Sequence, residues 1–263
     1  MISSFPETIT AHIADKPYTV DDIGRSGSAI YLFDDCVLKV EPHSEETARI
    51  VSMMRWLAGK VPSPEVIAFE TDGEKDYLLM SRLEGEMACS PYWLSHHEEM
   101  IGLLADALKM LWSVDITGCP VLRDPDALLA TAEKRFINGE ADPLDAAPEL
   151  FGETGFSGPE ALLAWLKENK PPFEPVLSHG DFCLPNILIK DKKVSGFIDL
   201  NYAGVSDKWT DIFMCLQSLR WNFDGTFGGP VYPDGKPELL FEKLGMEPDH
   251  EKLYWNKCLD AFF

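Results

Sequence analysis

Three oxygen-bearing side chains stand at fixed intervals in the second half of the chain. Asp181 lies in Ser178-His179-Gly180-Asp181. Asn186 follows five residues later in Leu184-Pro185-Asn186, and Asp199 closes Gly196-Phe197-Ile198-Asp199 thirteen residues after that. The flanking segments are apolar and β-branched. Val176-Leu177, Ile187-Leu188-Ile189 and Val194 to Ile198 read as short buried strands, with Asp191-Lys192-Lys193 as the turn between the last two. Closing that hairpin returns Asp199 towards Asn186, beside the loop that holds Asp181. Carboxylate and amide oxygens suit magnesium, which takes one or two protein ligands and fills its shell with water and phosphate oxygens. A separate carboxylate nearby can receive the proton of an attacking hydroxyl. The set therefore fits phosphoryl transfer, with Asp181 as base and Asn186 and Asp199 as metal ligands. A polar loop before a capped hairpin uses the same residue types; the joint spacing argues against that simpler meaning.

The step from His179-Gly180-Asp181 to Asn186 is similar to the His-x-Asp-x-x-x-x-Asn of protein kinases, whose later metal-binding Asp corresponds to Asp199. A more specific resemblance covers residues 177–212. Ser178-His179-Gly180-Asp181, Leu184-Pro185-Asn186, Val194-Ser195-Gly196-Phe197-Ile198-Asp199, Asp207-Lys208-Trp209 and Asp211-Ile212 all resemble the aminoglycoside 3'-phosphotransferases, bacterial resistance kinases. Leu78-Leu79-Met80-Ser81 and the closing Leu259-Asp260-Ala261-Phe262-Phe263 resemble them too. The resemblance implies an α+β, two-lobed, protein-kinase-like fold. Residues 1–84 would form a β-rich nucleotide-binding lobe, and residues 85–263 a mainly helical lobe for catalysis and substrate. It implies ATP and Mg2+ as cofactors and an aminoglycoside, or a related cationic small molecule, as the acceptor.

The elements that must position these groups can be read in order. Residues 5 to 40 read mainly as strands, with the small-residue loop Gly24-Arg25-Ser26-Gly27-Ser28 between two of them. Such a loop can bring backbone N–H groups to phosphates, although a plain hairpin is its commoner meaning. Lys39 lies on the strand that follows, where kinases place a phosphate-contacting lysine paired with a helix glutamate. The resemblance gives Lys39 that role and makes Ser26, Gly27 and Ser28 the phosphate loop. Glu45 to Gly59 reads as a helix capped by Ser44, and Glu46 is the expected partner of Lys39, with Glu45 the alternative. Ser81 and Leu83 fall where kinases read adenine through the backbone.

Beyond residue 85 the pattern turns helical. His97 to Trp112 carries Met100, Ile101, Leu104, Leu108 and Leu111 on one stripe, the mark of a core helix. Residues 126–137 and 159–166 read as further helices. Asn138 to Gly158, rich in Gly, Pro and acids, reads as a loop over the substrate. Helices over residues 207–219, 238–244 and 249–262 complete the chain. By resemblance, Glu149, Glu153, Asp224, Asp260 and Phe263 are candidates for holding the amines of the acceptor.

Composition narrows the classes. A net charge of −21, from 44 acidic and 23 basic residues, disfavours nucleic acid and suits a cationic ligand. No apolar run reaches the length of a membrane span, and the opening residues carry no secretory pattern. Six cysteines without paired spacing are those of a cytoplasmic protein with free thiols. Three positions depart from the family. Asn201-Tyr202 replaces a Gly-Arg, Gln217 replaces an arginine, and Ala261 replaces a glutamate. All lie on the acceptor side, which leaves open a kinase of another amino alcohol or amino sugar. A catalytically dead nucleotide-binding module is the remaining alternative.

Overall fold

The computed structural model of the chain describes residues 5–21 and 28–263. Its first part is built on a five-stranded antiparallel sheet of β1 (Thr19–Asp21), β2 (Ala29–Leu32), β3 (Cys36–Pro42), β4 (Val66–Thr71) and β5 (Lys75–Ser81), in the order β1-β2-β3-β5-β4. Central strand β3 alternates strictly. Cys36, Leu38 and Val40 are buried, whereas Val37, Lys39 and Glu41 occupy the opposite face. Helix α2 (Glu45–Leu57) crosses between β3 and β4. Ser44 caps it, its Oγ accepting from the N–H groups of Glu46 (3.1 Å) and Thr47 (3.3 Å).

The expectation of strands from residue 5 onward fails at the start, where Glu7–Ile13 is helix α1. Ile9 and Ile13 lie four apart and are both fully buried, packing with Phe33, Leu38 and Leu79 under the sheet. Helical spacing of two isoleucines outweighs their β preference here.

The second part begins with β6 (Glu86–Met87), which pairs with β8 (Ile187–Lys190), itself paired with β9 (Lys193–Phe197). The hairpin turn is Asp191-Lys192, both with positive φ, as in a type I′ connection. β7 (Pro175–Ser178) pairs with β10 (Gly204–Asp207). Around these pack α3 (Pro91–Ser95), α4 (His97–Trp112), α5 (Pro125–Ile137), α6 (Pro143–Ala146), α7 (Pro159–Glu168), α8 (Lys208–Phe223), α9 (Leu239–Leu244) and α10 (His250–Asp260). The apolar stripe of α4 is wholly buried and joins α2, β8, β9, α8 and α9 in one core. The segment 138–158 is not an open loop. It contains α6 and a helical turn at Pro148–Leu150, and Ala147 and Leu150 are buried with Leu162, Leu166 and Phe262.

Helix α10 is tied to the start of α8 by charge. Lys252, almost wholly buried, donates to Glu174 (2.8 Å) and to Asp207 (3.2 Å), the N-cap of α8, while Lys208 reaches Glu174 at 2.7 Å. Hydrogen bonds from Lys208 and Lys252 hold the Glu174 carboxyl down to about 2, below its usual 4.5. A depressed carboxyl stabilises the fold fully above its ordinary range and ceases to do so as pH falls through the folded value. Glu174→Gln should lower the denaturation midpoint near neutral pH, and the gap to the parent should close as pH falls from 4.5 towards 2. A gap that does not vary with pH would contradict the linkage.

Candidate active site

The loop after β7 is held from behind by Asp211, in the first turn of α8. Asp211 is fully buried. Its Oδ1 accepts from Ser178 Oγ and from the N–H of Gly180, both at 2.9 Å, and its Oδ2 accepts from the N–H of His179 at 2.9 Å. Burial raises its pKa; His179 and the surrounding donors oppose that rise. Sequence reading assigns Asp211 no role of its own. The signal available was a carboxylate amid the apolar residues of a helix that packs on β7.

His179 connects this loop to the metal-side strand. Its Nε2 lies 2.9 Å from the carbonyl oxygen of Ile198, and its Nδ1 accepts from the N–H of Asp181 at 3.4 Å. These partners assign the ring hydrogen to Nε2. Gly180 has φ of +78°, and a Cβ there would lie 2.2 Å from the carbonyl oxygen of Tyr202. Only glycine fits so tight and left-handed a turn.

Asp181, Asn186 and Asp199 are brought together as the hairpin requires. Asn186 Nδ2 donates to both Oδ2 and the backbone oxygen of Asp181, each at 3.0 Å. Cys183 Sγ donates to Oδ1 of Asp181 at 2.9 Å, and burial beside that carboxylate pushes the thiol far above its usual range. The amide nitrogen of Asn186 being used, its Oδ1 is the atom left for a cation. The N–H of Ile198 donates to the carbonyl of Asn186 at 3.0 Å, so Asp199 emerges next to Asn186. Asp199 is left-handed (φ 56°, ψ 60°), a region Asp enters more readily than most side chains. Crowding by protein raises its pKa, Lys39 opposes that, and Asp181 adds to it; yet solvent still reaches the residue, as it does a group lining a cleft. Among the described residues no three His, Cys, Asp or Glu form a closed metal cage. An amide oxygen and an under-compensated carboxylate fit a hard cation that keeps other oxygen ligands.

The residues expected on the nucleotide side differ from expectation in their partners. Lys39 does not pair with Glu46. Its Nζ lies 2.9 Å from Glu41 on its own strand, whereas Glu46 binds Arg49 (2.6 Å) and Arg123 (3.5 Å). The cause is helical phase: Glu46 is exposed, and the residue that α2 turns towards Glu41 is Thr47. Ser26 and Gly27 lie outside the described residues, and Ser28 Oγ is 3.4 Å from Glu41. Ser81 cannot offer its N–H to a base, because that group donates to the carbonyl of Glu65 (2.9 Å), whose N–H in turn donates to Ser81 Oγ. Leu83 lies against Gly196, where an added Cβ would meet Leu83 Cδ1 at 2.4 Å and displace that side chain.

On the other side of Asp181 opens a cavity of about 230 Å³, whose lining includes Gly180, Asp181, Tyr202, Arg123, Asp260 and Phe263. Asp260 faces it with one anchor, Gln217 Nε2 at 3.0 Å. Burial raises the Asp260 pKa, Gln217 opposes this, and Asp181 raises it further. Arg123 holds the cavity wall, donating to the carbonyl of Asn201 (3.0 Å) with its guanidinium over the Tyr202 ring. Arg135 fixes the cavity-lining end of the chain, donating to the backbone oxygens of Phe262 and Phe263, both at 2.9 Å. Three expected substrate residues do not line the cavity. Glu149 pairs with Lys257 (2.8 Å), Asp224 binds Thr226 in a turn after α8, and Glu153 is exposed. Because Gly180 sets the direction of Asp181, Gly180→Ala should cut kcat by about 100-fold or more while the far-UV spectrum stays native. Retained kcat would show that the turn does not aim the carboxylate.

Comparison with known proteins agrees with this geometry. The phosphotransferase enzyme family matches residues 21–236. An aminoglycoside 3'-phosphotransferase from Staphylococcus aureus is 38% identical over 250 residues, covering 94% of this chain and 90% of its own. One from Enterococcus faecalis is 38% identical over 220 residues, covering 83% and 79%. Among solved structures, the aminoglycoside phosphotransferase APH(3'')-Id from Streptomyces rimosus superposes with a TM-score of 0.78 at 22% identity, over 99% of this chain and 98% of that one. Its complex with ADP and streptomycin gives 0.75 at 22% identity, again over 99% and 98%. The fold is the α+β, two-lobed, protein-kinase-like one, and with a loop, hairpin and cavity arranged for phosphoryl transfer the chain belongs to the aminoglycoside 3'-phosphotransferases of the phosphotransferase enzyme family.

Proposed function

We propose that this enzyme transfers the γ-phosphate of ATP, with Mg2+, to the 3'-hydroxyl of an aminoglycoside in the cytoplasm. The observation that carries the proposal is the position of Asp181. One side of it adjoins Asn186, and the other opens into the acidic cavity. Its two oxygens are steered by Cys183 and Asn186, so the carboxylate is oriented before substrate arrives. An acceptor hydroxyl in the cavity donates its hydrogen bond to Asp181, which takes the proton late, because the phosphoryl-transfer transition state is loose. Asn186 Oδ1 and Asp199 would hold Mg2+, which would supply charge neutralisation at the phosphates. Lys39 grips the non-transferred phosphates, and the base is read by the carbonyl of Ser81 and the backbone of Leu83.

The acceptor side supports a cationic substrate. Asp181 raises the energy of the Asp260 charge, and an ammonium group in the cavity relieves it. The replacement of an arginine by Gln217 matters here, since an amide anchors Asp260 without neutralising it. Ala261, where relatives carry a glutamate, is buried, so the acidic contact passes to Asp260. The division into lobes at residues 84 and 85 is supported by the pairing change: β5 ends at Ser81, and Glu86 already pairs with Ile189. Six free cysteines accord with a reducing compartment.

Asp181→Asn should lower turnover by about 10²- to 10⁴-fold while ADP binds with parental affinity. Parental turnover would remove Asp181 from the chemistry. ATP consumption should depend on the 3'-hydroxyl, so kanamycin should be phosphorylated and 3'-deoxy aminoglycosides should not. Equal consumption with both would refute the 3' assignment, and consumption only with simpler amino alcohols would point to a metabolic acceptor instead.

A further inference from the structure

A phosphate-gripping lysine must be held, because a free lysine samples many rotamers and loses that entropy on binding. The expected holder was a glutamate of α2. The structure assigns the role to Glu41 instead: we propose that Glu41 is the positioning residue for Lys39, with Thr47 linking the pair to α2. This rests on the reading of Lys39 as a phosphate ligand.

Lys39 and Glu41 are two apart on β3, so both project from the face opposite the buried Cys36, Leu38 and Val40. Their charged groups meet at 2.9 Å, and the two side chains retain only 18% and 16% of their exposure. Such part-buried pairs are screened far less than surface ones. The carboxylate is itself fixed. Thr47, 2% exposed, donates from Oγ1 to Glu41 Oε1 at 3.1 Å, leaving Oε2 for Lys39. Ser28, at the end of the small-residue loop, lies 3.4 Å from the same Oε2. Three residues thus converge on one carboxylate: Ser28, Lys39 of the strand and Thr47 of the helix.

No α2 carboxylate competes for the lysine. Glu46 is exposed and turned to Arg49 and Arg123, and Glu45 is exposed at the helix start. The helix meets the pair with a hydroxyl, and the strand supplies the charge. Lys39 is therefore pre-set by its own strand, and a rigid shift of α2 perturbs it only through Thr47.

A double-mutant cycle tests this on the full-length enzyme. Lys39→Met, Glu41→Gln and the pair are compared for KM of ATP, KM of acceptor and ADP affinity by calorimetry. Glu41→Gln should weaken nucleotide binding about tenfold, the size expected for a charged hydrogen bond, and leave the acceptor KM in place. In the Lys39→Met background it should add nothing, because Glu41 acts through Lys39. Thr47→Val, which keeps the shape of the side chain, should move nucleotide binding the same way by less. Additive losses, or losses shared equally by nucleotide and acceptor, would make Glu41 merely structural. If Lys39→Met weakens ATP binding and Glu41→Gln does not, the partner assignment alone fails. If Lys39→Met leaves ATP binding intact, the nucleotide reading fails and takes the partner assignment with it.

Discussion

A carboxylate removed from water, Asp211, sets the geometry on which the rest of this enzyme depends. Burying an anion is costly unless donors surround it. Asp211 meets that need with Ser178 Oγ and two successive backbone N–H groups. The same bonds leave the loop from Ser178 to Gly180 little freedom, and the direction of Asp181 follows. His179 extends the constraint to the carbonyl beside Asp199. One buried anion on α8 therefore orients Asp181 directly and the segment before Asp199 through a single imidazole. Its requirement for donors also explains why a serine precedes the histidine and why a glycine, pressed against Tyr202, follows it.

Around this fixed loop the two halves of the site are built by different physics. The proposed metal side is the β8–β9 hairpin, where register carries Asp199 to Asn186, and the proposed nucleotide side is strand β3, where alternation carries Lys39 to Glu41. The acceptor side is assembled from distant segments. Arg123 reaches Asn201, Gln217 reaches Asp260, and Arg135 reaches Phe262 and Phe263. A cavity made this way can change its specificity through single replacements without disturbing the hairpin. The departures from the family fall there, at Tyr202, Gln217 and Ala261. Acidic groups facing the cavity, in a chain of net charge −21, favour the approach of polycations over any long range that salt leaves unscreened.

This contrast also sets what could be read from the chain alone. Asp181, Asn186 and Asp199 were legible because short strands with a turn at Asp191-Lys192 leave one way to fold, and the spacing survives in one dimension. The core stripe of α4 and the Ser44 cap were legible for the same reason, since periodicity and capping are local. The kinase pattern points to a helix glutamate and gives no signal for Glu41, although alternation on β3 places it beside Lys39. Asp211 and Gln217 act across more than thirty residues, and no local pattern records such partners. Helix α1 was read as strand because its isoleucines favour strands, and only their burial beneath the sheet decides otherwise. The expected amine contacts at Glu149 and Glu153 lie in a segment that the packing of Leu150 draws into the core, and Asp224 is turned to Thr226 after α8.

The central claim is that Asn186 and Asp199 share one divalent ion while Asp181 faces the acceptor. Anomalous diffraction from crystals grown with Mn2+, a non-hydrolysable ATP analogue and an aminoglycoside measures this directly. The account requires manganese bound to Asn186 Oδ1 and an Asp199 oxygen, with the acceptor hydroxyl within hydrogen-bond reach of Asp181. Manganese elsewhere, or coordinated by Asp181 in place of Asn186, would contradict it.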